Sequence, residues 1–540
     1  MFFLIISGYI IEPHFNSSAM KKIFMLTAIL AIYLSCTKTV LLSEANNNNG
    51  KDDNLSPAFS SYNLKGDGNS DDTDALQRLL NDSSNIYLKS GTYIINRTIN
   101  IKANTRLFGQ QGTVIKAGKN MSGTLLVNGR YIFAEKSDYS VIQNITFSQS
   151  EAPFVLSEWN NSCIFLLNTR NFRIEKCLFD FHFDYNPLGM EAVWISGSGS
   201  KNNIISKNDV RTLGIRYAEN GADSTKVEAN ILNNAYSNAL SATGNNETDK
   251  IIGCSVLNNQ VVNAGRMGIE DWGNTDGSLI QGNNISGTGN DKKQAADGIA
   301  LSAVGIRTSV VKNTIANGQV YGIEVRGNYG AVVSGNNISS NANATGIILN
   351  YTFPAPAENL KSCVVSANKI TGGKLGLHIF GDYESNARIN NNAFINILVK
   401  GISIESGAKN YLIEIGRNRF NFSTPNTEDR SAIFSYTKYP PSTASQVITM
   451  MADTINFTPP SASGKGVDFG IIVRTDNAKV EKLQFQANGN KNANGVPVNA
   501  ITALGAKPVN VIMTDNTILG GFVDLNGFVF PKLNGNKFTN

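Results

Sequence analysis

A right-handed parallel β-helix is predicted over residues 126–425, and three observations predict it. A short apolar strand, usually opened by glycine, starts at Ala192, Gly214, Ala239, Gly268, Gly298, Gly322, Gly346, Gly376 and Gly401, in steps of 22 to 30 residues. An asparagine flanked by apolar positions recurs in phase with it, at Asn208, Asn230, Asn283, Asn313, Asn336, Asn368, Asn392 and Asn418. Glycine is abundant and proline scarce, 49 against 14 in 540 residues, which favours tight turns between short strands over long helices.

The physical reason is burial. A strand, a turn and a second strand cannot hide an apolar face alone, whereas stacked parallel copies bury a continuous core and pair each backbone group with the coil above and below. An asparagine at each inner corner can hydrogen-bond along the stack and satisfy the bend. Most of these asparagines lie 14 to 17 residues after their strand start, and Asn368 lies 22 after, which implies a loop insertion. Cys177 and Cys254 are read into the same corner slot as small buried residues. No CxxC pair exists, so the cysteines predict neither zinc nor a required disulfide.

Composition narrows the function classes. Charged residues make up 16% of the chain and the net charge is +5, which excludes a charged disordered chain and gives no basis for nucleic-acid binding. At the N-terminus, Met20-Lys21-Lys22, an apolar run from Ile23 to Leu34 and Ser35-Cys36 form an export signal. It is similar to a bacterial lipoprotein signal, which implies lipidation at Cys36 and outer-membrane anchoring; simple secretion is the alternative. Residues 1–36 are therefore read as an upstream extension and signal, and 37–56 as a flexible tether. Residues 57–125 form an N-terminal cap and first coils, and 426–540 C-terminal coils and a capping region.

The segment after the tether reads as a glycine turn at Gly66-Asp67-Gly68, then an amphipathic helix with its N-cap at Asp72 or Thr73. The strands Ile86-Tyr87-Leu88 and Gly91-Thr92-Tyr93 follow. A helix over the first coil covers an otherwise open sheet edge. With Asp71-Asp72-Thr73, Ala75 and Gln77, this segment resembles the opening motif of the pectate-lyase-like superfamily. The resemblance implies a parallel β-helix, and a set of activities that includes pectin and carrageenan hydrolases, alginate and pectate lyases, epimerases and phage tailspikes.

Side chains alternate along a strand, so the strand register predicts an outer face. Its first row is read as Trp194, Arg216, Ser241, Glu270, Ala300, Glu324, Ile348, His378 and Ser403. Its second is Ser196, Ala218, Thr243, Trp272, Ser302, Arg326, Asn350, Phe380 and Glu405. Glu270 and Glu324 fall two rungs apart, about 10 Å. Paired carboxylates and aromatic rings on one face suit acid–base chemistry on a sugar chain. Glu270 and Glu324 are the candidate acid and base, with Asp271 and Asp297 as further candidates, although alternation points Asp271 inward. Trp194, Trp272, His378 and Phe380 are candidates for sugar contact, and Arg216 and Arg326 for an anionic sugar. Asp180, His182 and Asp184 alternate onto one face as a lesser cluster. Asn274-Thr275-Asp276-Gly277 matches a polygalacturonase tetrapeptide but lacks that family's companion motifs, and is set aside.

The expected function is an exported glycoside hydrolase for an anionic plant or algal polysaccharide, needing no cofactor. A lyase or epimerase for uronic acids is the runner-up, with Arg326 or His378 as base and Ca²⁺ as a possible cofactor. A surface-anchored glycan-binding or adhesion β-helix is the non-enzymatic alternative.

Overall fold

The computed structural model describes residues 59–539 apart from 120–131, 150–161, 183–190, 245–246, 291–297, 355–359, 408–410, 425–427, 438–445, 458–466, 475–476, 488–497, 504–508, 521 and 525–527. Short strands wind through these residues into three long parallel sheets, a right-handed parallel β-helix. Each coil contributes one strand to each sheet, so a residue's neighbours across the ladder lie one coil away in sequence. The strands continue past residue 425, through Asp468–Arg474 and Val509–Thr514 to Lys537–Thr539, as further rungs of the same sheets.

The N-terminal turn works as the sequence suggests, with its acidic residues reassigned. Asp67–Asp71 pairs in parallel with Gly91–Ile95. The helix Thr73–Asp82 buries Ala75, Leu76, Leu79 and Leu80. Asp72 makes no side-chain cap; its carboxylate instead accepts the backbone N–H groups of Lys65 and Gly66 at 2.7 and 3.0 Å and fastens the glycine turn. Asp72 is the N-cap residue by position, as expected, while the side-chain acceptor for the Thr73 N–H comes from Asp71 at 2.9 Å.

Inward positions form columns that run the length of the solenoid. One such column is Ile215, Leu240, Ile269, Leu301, Ile323, Ile347, Leu377, Ile402, Ile433, Ile471 and Ile501, each fully buried and paired with the next. Burying each such side chain stabilises the fold by about 1.5–3 kcal/mol. The glycines that open these strands answer a close approach. A Cβ on Gly346 would meet the Gly376 carbonyl oxygen at 2.6 Å and the Ile370 side chain at 2.6 Å.

The asparagine corner is a continuous ladder. Each Oδ1 accepts both the backbone N–H and the side-chain N–H of the asparagine one coil earlier. Asn283 gives both bonds to Asn313 at 2.9 and 3.0 Å, and Asn313 gives both to Asn336 at 2.9 and 3.0 Å. Each side chain also donates to a core-strand carbonyl, as Asn313 does to Ile280 at 3.0 Å. The ladder runs from Asn208 to Asn418 and includes Asn259, which fills the slot assigned above to Cys254. Cys254 stands one strand earlier. Cys177, in contrast, donates its N–H to Asn208 and does occupy the corner. Cys163, Cys177, Cys254 and Cys363 are buried free thiols.

Candidate functional site

The predicted rows lie on the outer face of the sheet that includes Glu191–Ser196, Gly214–Glu219, Ile269–Gly273 and Tyr321–Arg326, called the middle sheet below, with two corrections of register. Glu270 pairs with Ser302, and Ser302 with Glu324, so the residue between the two glutamates is Ser302 and not Ala300. That coil starts its strand two residues later than its glycine implies. A bulge between Arg216 and Ala218 turns Ala218 into the core and places Glu219 beside Thr243. The remaining outer positions hold register: Ser241 beside Glu270, Thr243 beside Trp272, Glu324 beside Ile348, Arg326 beside Asn350, and His378 beside Ser403.

The row is not washed by solvent. Glu270 and Glu324 retain 8% and 7% exposure, and Ser302 none. Neighbouring side chains meet these carboxylates. Asn238 donates to Glu270 Oε2 at 2.6 Å, and the Arg266 guanidinium stands 3.4 Å from Oε1. Glu324 accepts from two neutral donors, Ser302 at 2.9 Å and Asn350 at 3.0 Å.

Two further carboxylates complete the N-terminal part of this face, and both lie outside the predicted rows. Glu219 enters through the bulge. Glu191 directly precedes a strand start, where the next copies carry Leu213, Asn238 and Met267. Arg216 joins them, 2.9 Å from Glu219 and 3.8 Å from Glu191. Gly214 leaves room for Glu191, since a Cβ there would sit 2.5 Å from its Oε2. Burial pushes the Glu191 carboxyl up to about 7; Arg216 opposes the shift, and the nearby charges of Glu219 and Glu270 add to it. Glu191 holds the same place before its strand start as Asp297 and Lys400 do before theirs, and that place was the sequence signal for this group.

The candidate aromatic and basic residues divide. Trp194 is buried at 3% exposure, donates its indole N–H to Glu219 at 2.8 Å and carries Arg216 over its ring at 4.3 Å, so it is a wall and not an open stacking surface. Trp272 is exposed, with Phe353 edge-on at 6.3 Å. Arg326 lies 4.4 Å from the Phe353 ring and 5.4 Å from that of Tyr329. Farther along, His378 stacks on Phe380 at 5.5 Å and stands 3.8 Å from Glu405. His378, then Lys400 and Ser403, hold the Glu405 carboxyl well below its usual range.

Asp271 does not join Glu270 and Glu324. It points into the core with no exposure, as alternation requires, and its carboxyl is met by the hydroxyls of Thr275, Ser278 and Tyr217 at 3.1, 3.2 and 3.5 Å. Burial pushes it up to about 6 against those hydroxyls. Asp297 and Cys36 lie outside the described residues, as does Asp184 of the lesser cluster, in which His182 contacts Asp180 at 2.9 Å. Asp276, in the discounted tetrapeptide, is tied to Arg307 and Lys250 in ion pairs. Among the described residues no three His, Cys, Asp or Glu side chains are arranged to hold a metal ion, so no Ca²⁺ ligand set can be named.

A family profile described as "Rhamnogalacturonase A/epimerase, pectate lyase-like" matches residues 59–373, more than half of the chain. The chain belongs to this family. Its matched span starts at the N-terminal helical turn and takes in Glu191, Glu219, Glu270 and Glu324. No curated protein matches the sequence. Among solved structures, the chain is similar to PfbA, a surface adhesin of Streptococcus pneumoniae, at 16% identity, covering 64% of this chain and 92% of that one with a TM-score of 0.48. It is also similar to the A-module of the Azotobacter vinelandii mannuronan C-5 epimerase AlgE6, at 11% identity, covering 79% and 98% with a TM-score of 0.38. A GH87 α-1,3-glucanase from Streptomyces thermodiastaticus is similar at 13% identity, covering 80% and 69% with a TM-score of 0.35.

Proposed function

We propose that this family member is an exported glycoside hydrolase that cuts a polysaccharide laid along the outer face of the middle sheet. The observation that carries the reading is the gathering of Glu191 and Glu219 at Arg216 with Glu270 close enough to act on Glu191, which burial and these acidic neighbours hold near 7. Groups whose surroundings set them apart in acidity can divide the roles of acid and base. Glu191 keeps a proton at neutral pH and gives it to the leaving glycosidic oxygen. Glu270, with Asn238 and Arg266 aimed at its two oxygens, takes the proton from the attacking water. Arg216 orients the acid, and its bond to Glu219 keeps it in place. Glu324, the partner expected for Glu270, is the alternative base or acid on the far side.

Product analysis on pectic, alginate and carrageenan substrates tests this. New reducing ends without ultraviolet-absorbing unsaturated ends support hydrolysis; unsaturated ends overturn it in favour of a lyase. A protein that binds these glycans, keeps that affinity as Glu270→Gln and shows no turnover in either form would be the adhesion-type β-helix instead. Comparing Glu191→Gln with Glu324→Gln separates the two carboxylate pairs, since only the working partner of Glu270 abolishes turnover.

A further inference from the structure

Asn238 touches the surroundings of both Glu191 and Glu270. It stands two residues before the strand Leu240–Gly244, in the place before a strand start that Glu191 holds two coils earlier. Its backbone carbonyl oxygen and Glu191 Oε2 lie 2.3 and 2.5 Å from the position a Cβ on Gly214 would take, so this glycine opens the space where they meet. Its side chain reaches the next coil. There Oδ1 accepts the backbone N–H of Met267 at 3.2 Å, and Nδ2 donates to Glu270 Oε2 at 2.6 Å. The first bond decides the second, because an amide whose oxygen is taken by an N–H must turn its NH₂ to the carboxylate.

The other groups that face Glu270 do not do this work. Ser241 and Ser302 flank it across the ladder, and Arg266 stands 3.4 Å from Oε1, a longer contact to a partly exposed guanidinium. Glu191, and Asp271 and Tyr217 on the core side, are acids whose charges would oppose its ionisation. The Asn238 amide is the closest of these contacts that favours the carboxylate form, and a hydrogen bond to an ionised group is among the stronger ones. Glu191 is treated differently: the Arg216 guanidinium faces it at 3.8 Å, beyond hydrogen-bond distance.

We infer that Asn238 is a positioning residue that makes Glu270 the base of the pair, holding its carboxylate ionised and in place beside a protonated Glu191. This deepens the hydrolase reading and rests on it for the reaction, while the hold on Glu270 stands by itself.

The test uses the full chain as wild type, Asn238→Ala and Asn238→Asp. The aspartate variant keeps an acceptor for the Met267 N–H but gives Glu270 no donor, so it separates the hold on the carboxylate from the hold on the backbone. The first measurement needs no substrate. Glutamate carboxyl carbons are titrated by carbon-13 NMR, with the Glu270 resonance identified by its loss in Glu270→Gln. Its ionisation is expected to move up by about one to two pH units in Asn238→Ala, the worth of a hydrogen bond to a charged group. It moves farther in Asn238→Asp, where two carboxylates compete for one proton. An unmoved titration overturns the inference whatever the turnover.

The second measurement is turnover against pH on the glycan that the wild type cuts. A base works only when ionised, so its activity is lost as pH falls through its ionisation. The acid limb is therefore expected to rise with Glu270 in both variants, while the alkaline limb of Asn238→Ala stays where Glu191 sets it. Turnover at the optimum falls about ten- to a hundredfold in Asn238→Ala, with KM little changed. A merely structural asparagine gives a lower melting temperature in Asn238→Ala, wild-type behaviour in Asn238→Asp and no movement of the acid limb, and overturns the inference. A shifted titration in a protein without turnover leaves the hold on Glu270 standing and removes the hydrolase reading.

Discussion

The asparagine corner and the outer face of the middle sheet are built from the same coils, yet they obey opposite rules. Along the corner every rung from Asn208 to Asn418 repeats one side chain, and each bond copies the last to within about 0.1 Å. Along the outer face no two neighbouring rungs agree: Arg216, Ser241, Glu270, Ser302, Glu324, Ile348, His378 and Ser403 follow one another. A solenoid is stabilised by interactions between neighbouring repeats, so positions that repeat are those on which stacking depends. Positions that refuse to repeat, and that bury charge while doing so, answer to something other than stacking.

The largest effects expected from this contrast are on turnover. Glu270→Gln is expected to lower turnover by about 10²–10⁴-fold while leaving the melting temperature nearly unchanged, because the amide keeps the volume and one acceptor for Asn238. A matching loss of stability would mean that the outer row is structural like the corner. The pH dependence follows from Glu191. Its proton is needed for donation and is lost as pH rises through about 7, so turnover declines above that point. Removing the charge of Glu219, as Glu219→Gln, takes away one of the influences that raise Glu191 and is expected to move the alkaline limb to lower pH. A limb that stays in place under that substitution contradicts Glu191 as the donor.

Much of this was legible in the sequence, and what was not has physical causes. The coil and its inward columns follow from strand spacing, because an apolar residue at each inner position is demanded by burial. The inward turn of Asp271 follows from alternation, and the Glu270–Glu324 face from the same rule. Register was harder to read. One bulge at Tyr217 moves Glu219 into the site and Ala218 out of it, and a strand that begins two residues late exchanges Ala300 for Ser302. Neither is marked by a turn residue, since a bulge is a local backbone adjustment compatible with ordinary side chains. Charge pairing across rungs was also hidden. Trp194 and Arg216 read as free groups until their carboxylate partners, 25 and 3 residues away, are seen beside them.

The corner should respond in the reverse manner. Asn313→Ala removes acceptance of two N–H groups of Asn283 and donation to Ile280 and Asn336. The buried partners left behind cost about 3 kcal/mol together. Amide hydrogen exchange is expected to show local opening centred on the coils of Asn283 and Asn336, with turnover per folded molecule unchanged. Faster exchange spread evenly over the whole solenoid would show that the ladder does not act locally.

The smallest effect lies where the ladder changes chemistry. Asp453 takes the next slot after Asn418 and accepts both of its N–H groups at 2.8 and 3.0 Å, but its Oδ2 is buried without a partner. Burial pushes the carboxyl up to about 7, with the two donors from Asn418 opposing it. A carboxyl that is harder to ionise in the fold than in the unfolded chain favours the folded state only while protonated. Its contribution is therefore present below about pH 4 and is lost as pH rises to about 7. Asp453→Asn keeps the acceptor, cannot ionise, and supplies the missing donor, which by the ladder's own spacing faces the Ile415 carbonyl. The variant is expected to be more stable than the wild type by about 1–3 kcal/mol above pH 7, and by less at pH 5. Denaturant unfolding at the two pH values checks it. A gain independent of pH would mean that the added donor alone matters, and no gain at either pH would mean that the corner tolerates a charge there.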